Sequence, residues 1–253
     1  GKKGTTSGAY VKQRVVKPRP RLMQRISDRN CPTKRTLAID ARDNKTYWVQ
    51  KIGANCWMTT NLAYAGGGDN TYGDVKTIEQ ATSGTTYTEA KYYIPTGANP
   101  TTSPTPPSTS ESGTGQYGYL YNWCAAMGNQ QGTSACLNAT SPLPSTTTSI
   151  CPKNWPLPTQ DGTTNGNEFT KLNNTVNSDL TNTDAGLLTE PWLGQRSGLW
   201  SLGFNYQGSS GSYWSSSQYA ATGARALSFY STNVSPSGNG VKLYGRAVRC
   251  VAE

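Results

Sequence analysis

Apolar and polar positions alternate in short runs along most of this chain. From Leu37 to Gly53 the pattern is a hairpin: Leu37-Ala-Ile-Asp-Ala-Arg42, a polar Asp43-Asn44-Lys45 turn, then Thr46-Tyr-Trp-Val-Gln-Lys-Ile52. Cys56-Trp-Met-Thr-Thr-Asn-Leu62 continues the apolar signal, and Gly66-Gly-Gly-Asp-Asn70 ends it in a loop. Two stretches carry helical spacing instead. Leu120, Trp123, Cys124 and Met127 recur at the interval of one helix face, and Phe169, Leu172 and Val176 predict a second helix over 167–180. Pro152, Pro156 and Pro158 hold the chain extended between them. The C-terminal third predicts three strands, at 212–217, 224–230 and 244–251, divided by Gly/Ser/Asn loops. No repeat of 20 to 50 residues is present, which leaves solenoids and propellers unsupported.

Composition sharpens this picture. The 253 residues include 34 Thr, 24 Ser, 27 Gly and 15 Pro, the usage of a turn-rich, β-leaning chain. Seven Trp and 15 Tyr argue for a packed core rather than disorder. Residues 95–115 are rich in Pro, Ser and Thr and read as an inserted surface loop. Histidine is absent, which excludes Ser-His-Asp and Cys-His catalysis and every His-ligated metal site. The six cysteines, at 31, 56, 124, 136, 151 and 250, contain no C-x-x-C pair, so three structural disulfides formed in an oxidising compartment are expected over a zinc or redox site. No run of 18 apolar residues predicts a transmembrane helix. A start at Gly1 without Met is what a processed mature form or a trimmed chain would show.

The charge is unevenly spread. Residues 1–30 carry nine Lys/Arg against Asp28 alone, a net +8, while residues 31–253 carry 14 basic and 13 acidic groups, a net +1. A basic arm invites a nucleic-acid reading. An oxidised body and the lack of interleaved aromatics for base stacking argue against it, and no nucleic-acid partner is expected. Ala9-Tyr-Val-Lys-Gln-Arg-Val-Val16 alternates like a strand, and Pro18 and Pro20 keep the next residues extended. The arm is therefore expected to dock on a sheet edge or groove, its own or a neighbouring subunit's, through Tyr10, Val11, Val15, Val16, Arg19 and Arg21.

Five motifs, in order, carry a resemblance. Asp40-Ala-Arg-Asp-Asn-Lys-Thr-Tyr47 with Lys51-Ile-Gly53, Trp57-Met58 and Asn61-Leu62 resembles the opening of the Fibrobacter succinogenes major paralogous domain. Tyr119-Leu-Tyr-Asn-Trp123, Ile150-Cys-Pro-Lys-Asn-Trp-Pro-Leu-Pro-Thr159, Tyr213-Trp-Ser-Ser-Ser217 and Gly245-Arg-Ala-Val-Arg-Cys250 are similar to its later motifs. The resemblance covers 31–253 and implies a secreted or surface-exposed bacterial module, α+β, of C-type-lectin-like fold, with two short helices, twisted antiparallel sheets and long loops. It also implies that a bridge from Cys151 to Cys250 ties the second helix region to the last strand. Cys31–Cys56 and Cys124–Cys136 are the expected remaining pairs.

Related folds carry a variable binding face just before the last strand. The matching stretch, Trp200 to Tyr244, is dense in Ser, Asn, Tyr and Gly, the residues of adaptable binding surfaces. Trp57, Trp123, Trp155 and Trp214 sit inside the family motifs and are expected in the core, whereas Trp192, Trp200, Tyr206, Tyr219, Arg225 and Tyr230 are the expected ligand contacts. No cofactor is expected. Calcium is the one metal to weigh: Asp161, Asn165 and Gly166 fit the first, fifth and sixth positions of an EF-hand loop, but Leu172 stands where its bidentate Glu belongs. Glu190-Pro-Trp192 and Trp214-Ser-Ser-Ser217 likewise lack the oxygen ligands of calcium-dependent sugar-binding lectins. The expectation is a non-enzymatic extracellular interaction protein, in its most concrete form a filament or surface-assembly subunit linked through the arm. The alternatives are a monomeric adhesin or carbohydrate- or protein-binding module and, remotely, an extracellular enzyme of the formylglycine-generating type.

Overall fold

The computed structural model describes residues 1, 19–67, 78–95, 117–128, 149–160 and 167–252. The predicted hairpin is present: β2 (Thr36–Ile39) pairs antiparallel with β3 (Thr46–Ile52), Leu37 opposite Trp48. Its turn closes because Asn44 takes φ 60°, a conformation Asn tolerates, while its N–H donates to the Asp40 carbonyl. Gly53, at φ 60°, turns the chain into β4 (Asn55–Met58). Two more strands extend this sheet. β1 (Arg21–Leu22) adds in parallel to the outer edge of β2, and β13 (Val251–Ala252) adds antiparallel to β4, giving the order β1-β2-β3-β4-β13.

β1 bears on the arm. Immediately after it, Met23 and Ile26 are fully buried, Trp155 Nε1 donates to the Met23 carbonyl at 2.8 Å, and the Cys56 N–H donates to the Asp28 carboxylate at 2.7 Å. Residues 21–30 thus pack as part of the body, with Arg21 and Leu22 paired along the edge of the chain's own sheet. Arg19 and Arg21 are exposed; Tyr10, Val11, Val15 and Val16 lie outside the described residues.

A second small sheet joins β5 (Glu79–Gln80), β6 (Lys91–Tyr93) and β7 (Leu120–Tyr121). The first expected helix is shorter than its periodicity suggested: α1 covers only Trp123–Ala126, with Leu120 in β7. Asn122 sets the boundary, its side chain accepting from the Ala125 N–H at 3.0 Å as an N-cap. The second helix, α2 (Glu168–Val176), is correct in type but stops short of Leu180. The chain breaks at Ser178 and Asp179, both at positive φ, and leaves Leu180 exposed. One turn, α3 (Ala185–Leu188), follows.

After the hairpin of β8 (Leu199–Trp200) and β9 (Phe204–Asn205) comes the main C-terminal sheet of β10 (Ser210–Ala220), β11 (Gly223–Tyr230) and β12 (Asn233–Val241), a consecutive antiparallel meander. The expected strands at 212–217 and 224–230 lie within it. The third differs: 233–241 forms the strand, whereas of 244–251 only Val251 is in one. Asn233-Val-Ser-Pro-Ser-Gly-Asn-Gly-Val241 has few β-formers, and an edge strand tolerates its Pro236 and glycines. The segment 245–247 instead makes single bridges to three sheets, Gly245 to Trp200, Arg246 to Tyr121 and Ala247 to Tyr213. A side chain at Gly245 would meet Tyr93 at 2.6 Å and Trp200 at 2.9 Å, so only glycine fits this crossing.

Two apolar clusters fill the interior. One contains Met23, Tyr47, Trp123, Trp155 and Trp214; the other contains Trp57, Phe169, Trp192, Tyr213 and Phe229. Cys31–Cys56 and Cys151–Cys250 form the expected disulfides, the latter closing a sequence separation of 99. Cys124 is also disulfide-bonded, and its expected partner Cys136 lies outside the described residues. No helix among the described residues is long and apolar enough to cross a membrane.

Candidate functional site

The strand period of two decides what β10 and β11 present to either side. Gly211, Tyr213, Leu227 and Phe229 point into the second cluster, where the Phe229 ring lies so close to Gly211 that a Cβ there would sit 2.1 Å from it. Ser210, Ser212, Ser228 and Tyr230 occupy the other face, with Ser210 opposite Tyr230 and Ser212 opposite Ser228. The loop after β9 turns at Tyr206 (φ 61°) and Gly208 (φ 77°) and lays Tyr206 and Ser209 beside this face. With Leu199, Ser231 and Arg246 these residues line an open cleft of about 540 Å³. Tyr206 and Tyr230 form its exposed flanks, at 65% and 48% exposure.

Arg246 is the one ionic group in the cleft lining. Its backbone is pinned by reciprocal hydrogen bonds with Tyr121, at 2.8 and 2.9 Å. The side chain is 6% exposed, stacks 5.0 Å from the Trp214 ring centre and donates through Nη1 to Ser212 Oγ, which lies 3.4 Å from Ser228 Oγ. Its Nε is buried without a hydrogen-bond partner, and no carboxylate pairs with it among the described residues. Burial pushes the guanidinium down to about 10, partly offset by Tyr219 and Tyr244, so it remains cationic at neutral pH.

The neighbouring buried cations differ. Arg249 donates to Asn61 Oδ1 at 2.7 Å and to the carbonyls of Trp192 and Leu193 at 2.5 and 2.7 Å, and it stacks on Trp192. Lys242 donates to Gln218 Oε1 and the Ala221 carbonyl and lies over Trp123. Both are satisfied internally and hold loops in place.

Of the six expected ligand contacts, the structure brings Tyr206 and Tyr230 together at the cleft. Tyr219 and Arg225 lie at the other end of the sheet and contact each other, the guanidinium 4.8 Å from the ring centre and Nη1 donating to Asn239 Oδ1. Trp192 and Trp200 need correction: they were expected as ligand contacts and are buried, at 0% and 6% exposure. Trp192 packs against Trp57, Tyr213 and Phe229, while Trp200 stacks on Tyr93 at 4.6 Å and donates to the Gly84 carbonyl. Trp192 stands in a turn and Trp200 in the two-residue strand β8, where local polarity hides burial supplied by distant segments.

Sequence reasoning missed Arg246 and the serine ladder as site residues. The one signal for them is a cation at Arg246 inside an otherwise small and apolar Gly-Arg-Ala-Val motif.

Among the described residues no three His, Cys, Asp or Glu side chains converge as metal ligands. The EF-hand-like segment falls mostly outside them, at 161–166. Within the rest of the loop, Glu168 accepts from the Thr159 N–H at 2.7 Å and from Thr159 Oγ1 at 2.5 Å, and Leu172, at the closing position, is buried in the core.

The family model described as the Fibrobacter succinogenes major domain matches residues 50–252. No curated protein and no solved structure matches the chain.

Proposed function

The chain belongs to the Fibrobacter succinogenes major domain family, and from that premise we propose that it is a non-enzymatic interaction module, secreted or held at a bacterial surface, that binds its ligand in the cleft between Tyr206 and Tyr230. The observation that carries this reading is the cleft itself, a rigid sheet face lined by hydroxyls, flanked by exposed tyrosines and floored by a buried cation. A concavity of this size with convergent polar groups is that of a ligand site. The disulfides support an oxidising location. We read the fold as C-type-lectin-like, supported by the long-range Cys151–Cys250 bridge and by the last strand returning beside β4.

The test is a panel of immobilised extracellular glycans and surface proteins, probed with the full chain and with the Tyr206→Ala/Tyr230→Ala variant. The wild type should retain at least one member, and the variant should lose it. Equal retention by both sinks the reading.

A second reading, subunit of a surface filament, is favoured by β1. β1 is the edge strand of the five-stranded sheet, and strand addition between subunits acts at such an edge. Light scattering on the full chain and on one beginning at Arg19 tests it. Assemblies of unchanged mass after removal of residues 1–18 would exclude an arm-linked filament.

A further inference from the structure

We infer that the cleft takes a ligand bearing a single carboxylate on a hydroxylated ring, an acidic saccharide, with the carboxylate on Arg246. This rests on the reading of the cleft as the binding site. A desolvated guanidinium is costly unless its charge is matched. Arg249, equally buried, has three oxygen acceptors, whereas Arg246 has one serine hydroxyl and a buried Nε with no partner among the described residues. The missing counter-charge is what a bound carboxylate would supply, and guanidinium is the cation best matched to carboxylate geometry.

The rest of the lining narrows the class. Arg246 is the one charged residue in the cleft lining, so it balances one negative charge; a phosphate dianion would leave one unmatched. Ser209, Ser212 and Ser228 offer neutral hydroxyls suited to sugar hydroxyls, and the exposed rings of Tyr206 and Tyr230 offer faces against which the C–H side of a sugar packs. The cleft's 540 Å³ accommodates a disaccharide-sized ligand.

The experiment is calorimetry of the full chain with galacturonate, glucuronate and N-acetylneuraminate, each paired with its methyl ester, and with glucose 6-phosphate. At least one acid should bind, its ester at least tenfold more weakly. Ser228→Asp should abolish that binding by placing a carboxylate beside the Ser212–Arg246 contact, and in the free protein it should raise Tm by a few degrees. Arg246→Gln should also abolish binding; because that variant removes a packed side chain, the intact fold of Ser228→Asp keeps the test decisive.

Equal affinity for acid and ester, tighter binding of the phosphate, or a fall in Tm for Ser228→Asp would overturn the inference. So would failure of every acid. In that last case, a neutral panel member lost on Tyr206→Ala/Tyr230→Ala leaves the cleft as the site and removes only the acidic ligand.

Discussion

The Cys151–Cys250 bridge offers the sharpest stability test, because its contribution is set by topology. It joins the start of the 151–160 segment to the residue before β13 across a sequence separation of 99, while Cys31–Cys56 spans 25. Loop-closure entropy gives about 4.7 kcal/mol for the longer bridge and about 3.5 kcal/mol for the shorter. Three of the four cysteines are fully buried and Cys31 is partly so. Cys→Ala therefore adds a similar small packing loss at each pair and preserves the difference of about 1 kcal/mol. Urea unfolding of Cys151→Ala/Cys250→Ala and Cys31→Ala/Cys56→Ala, monitored by Trp fluorescence, measures both. The long-bridge variant should lose about 4–5 kcal/mol, which for a chain of this size is a fall of roughly 10–20 °C in Tm. A loss under about 1 kcal/mol, or a larger loss for the short bridge, would refute the loop-closure argument.

Three further outcomes are expected. Arg249→Ala removes three hydrogen bonds to buried oxygens, leaving Asn61 Oδ1 to Tyr213, the Leu193 carbonyl to Gln195 and the Trp192 carbonyl without that donor, and with the lost packing on Trp192 it should cost about 3–5 kcal/mol in urea unfolding, where an exposed Arg→Ala costs under about 0.5 kcal/mol. Removing residues 1–30 takes Met23 and Ile26 from the core and should cost about 3–6 kcal/mol, read as a fall in Tm. Burial pushes Lys242 down to about 8 from its ordinary 10.5, so between those values the unfolded chain holds more protons and this group's contribution to stability rises with pH. Wild type should therefore gain on Lys242→Met in unfolding free energy from pH 8 to 10, and a constant or shrinking difference would contradict it.

What the sequence revealed depended on how local the cause was. The β2–β3 hairpin was legible because alternation and the Asp43-Asn44-Lys45 turn act within a few residues. Helix type at 168–176 was legible for the same reason, but its end was not, since Ser178 and Asp179 break it at positive φ with residues that signal no stop. Residues 233–241 were hidden because an edge strand is held by the ladder to β11, not by its own propensity.

The site shows the same division. Tyr206 and Tyr230 declared themselves as aromatics in polar surroundings. Trp192 and Trp200 did so equally and were buried by partners such as Trp57 and Tyr93, more than 100 positions away. Arg246 gave little away, because its meaning depends on what fails to pair with it in three dimensions.

The location of the ligand is the central claim, and hydrogen–deuterium exchange on the full chain tests it most directly, with and without the panel member it retains. Protection is expected at 206–212 and 228–231, around the cleft. Protection confined to other segments, with these unchanged, would contradict the account.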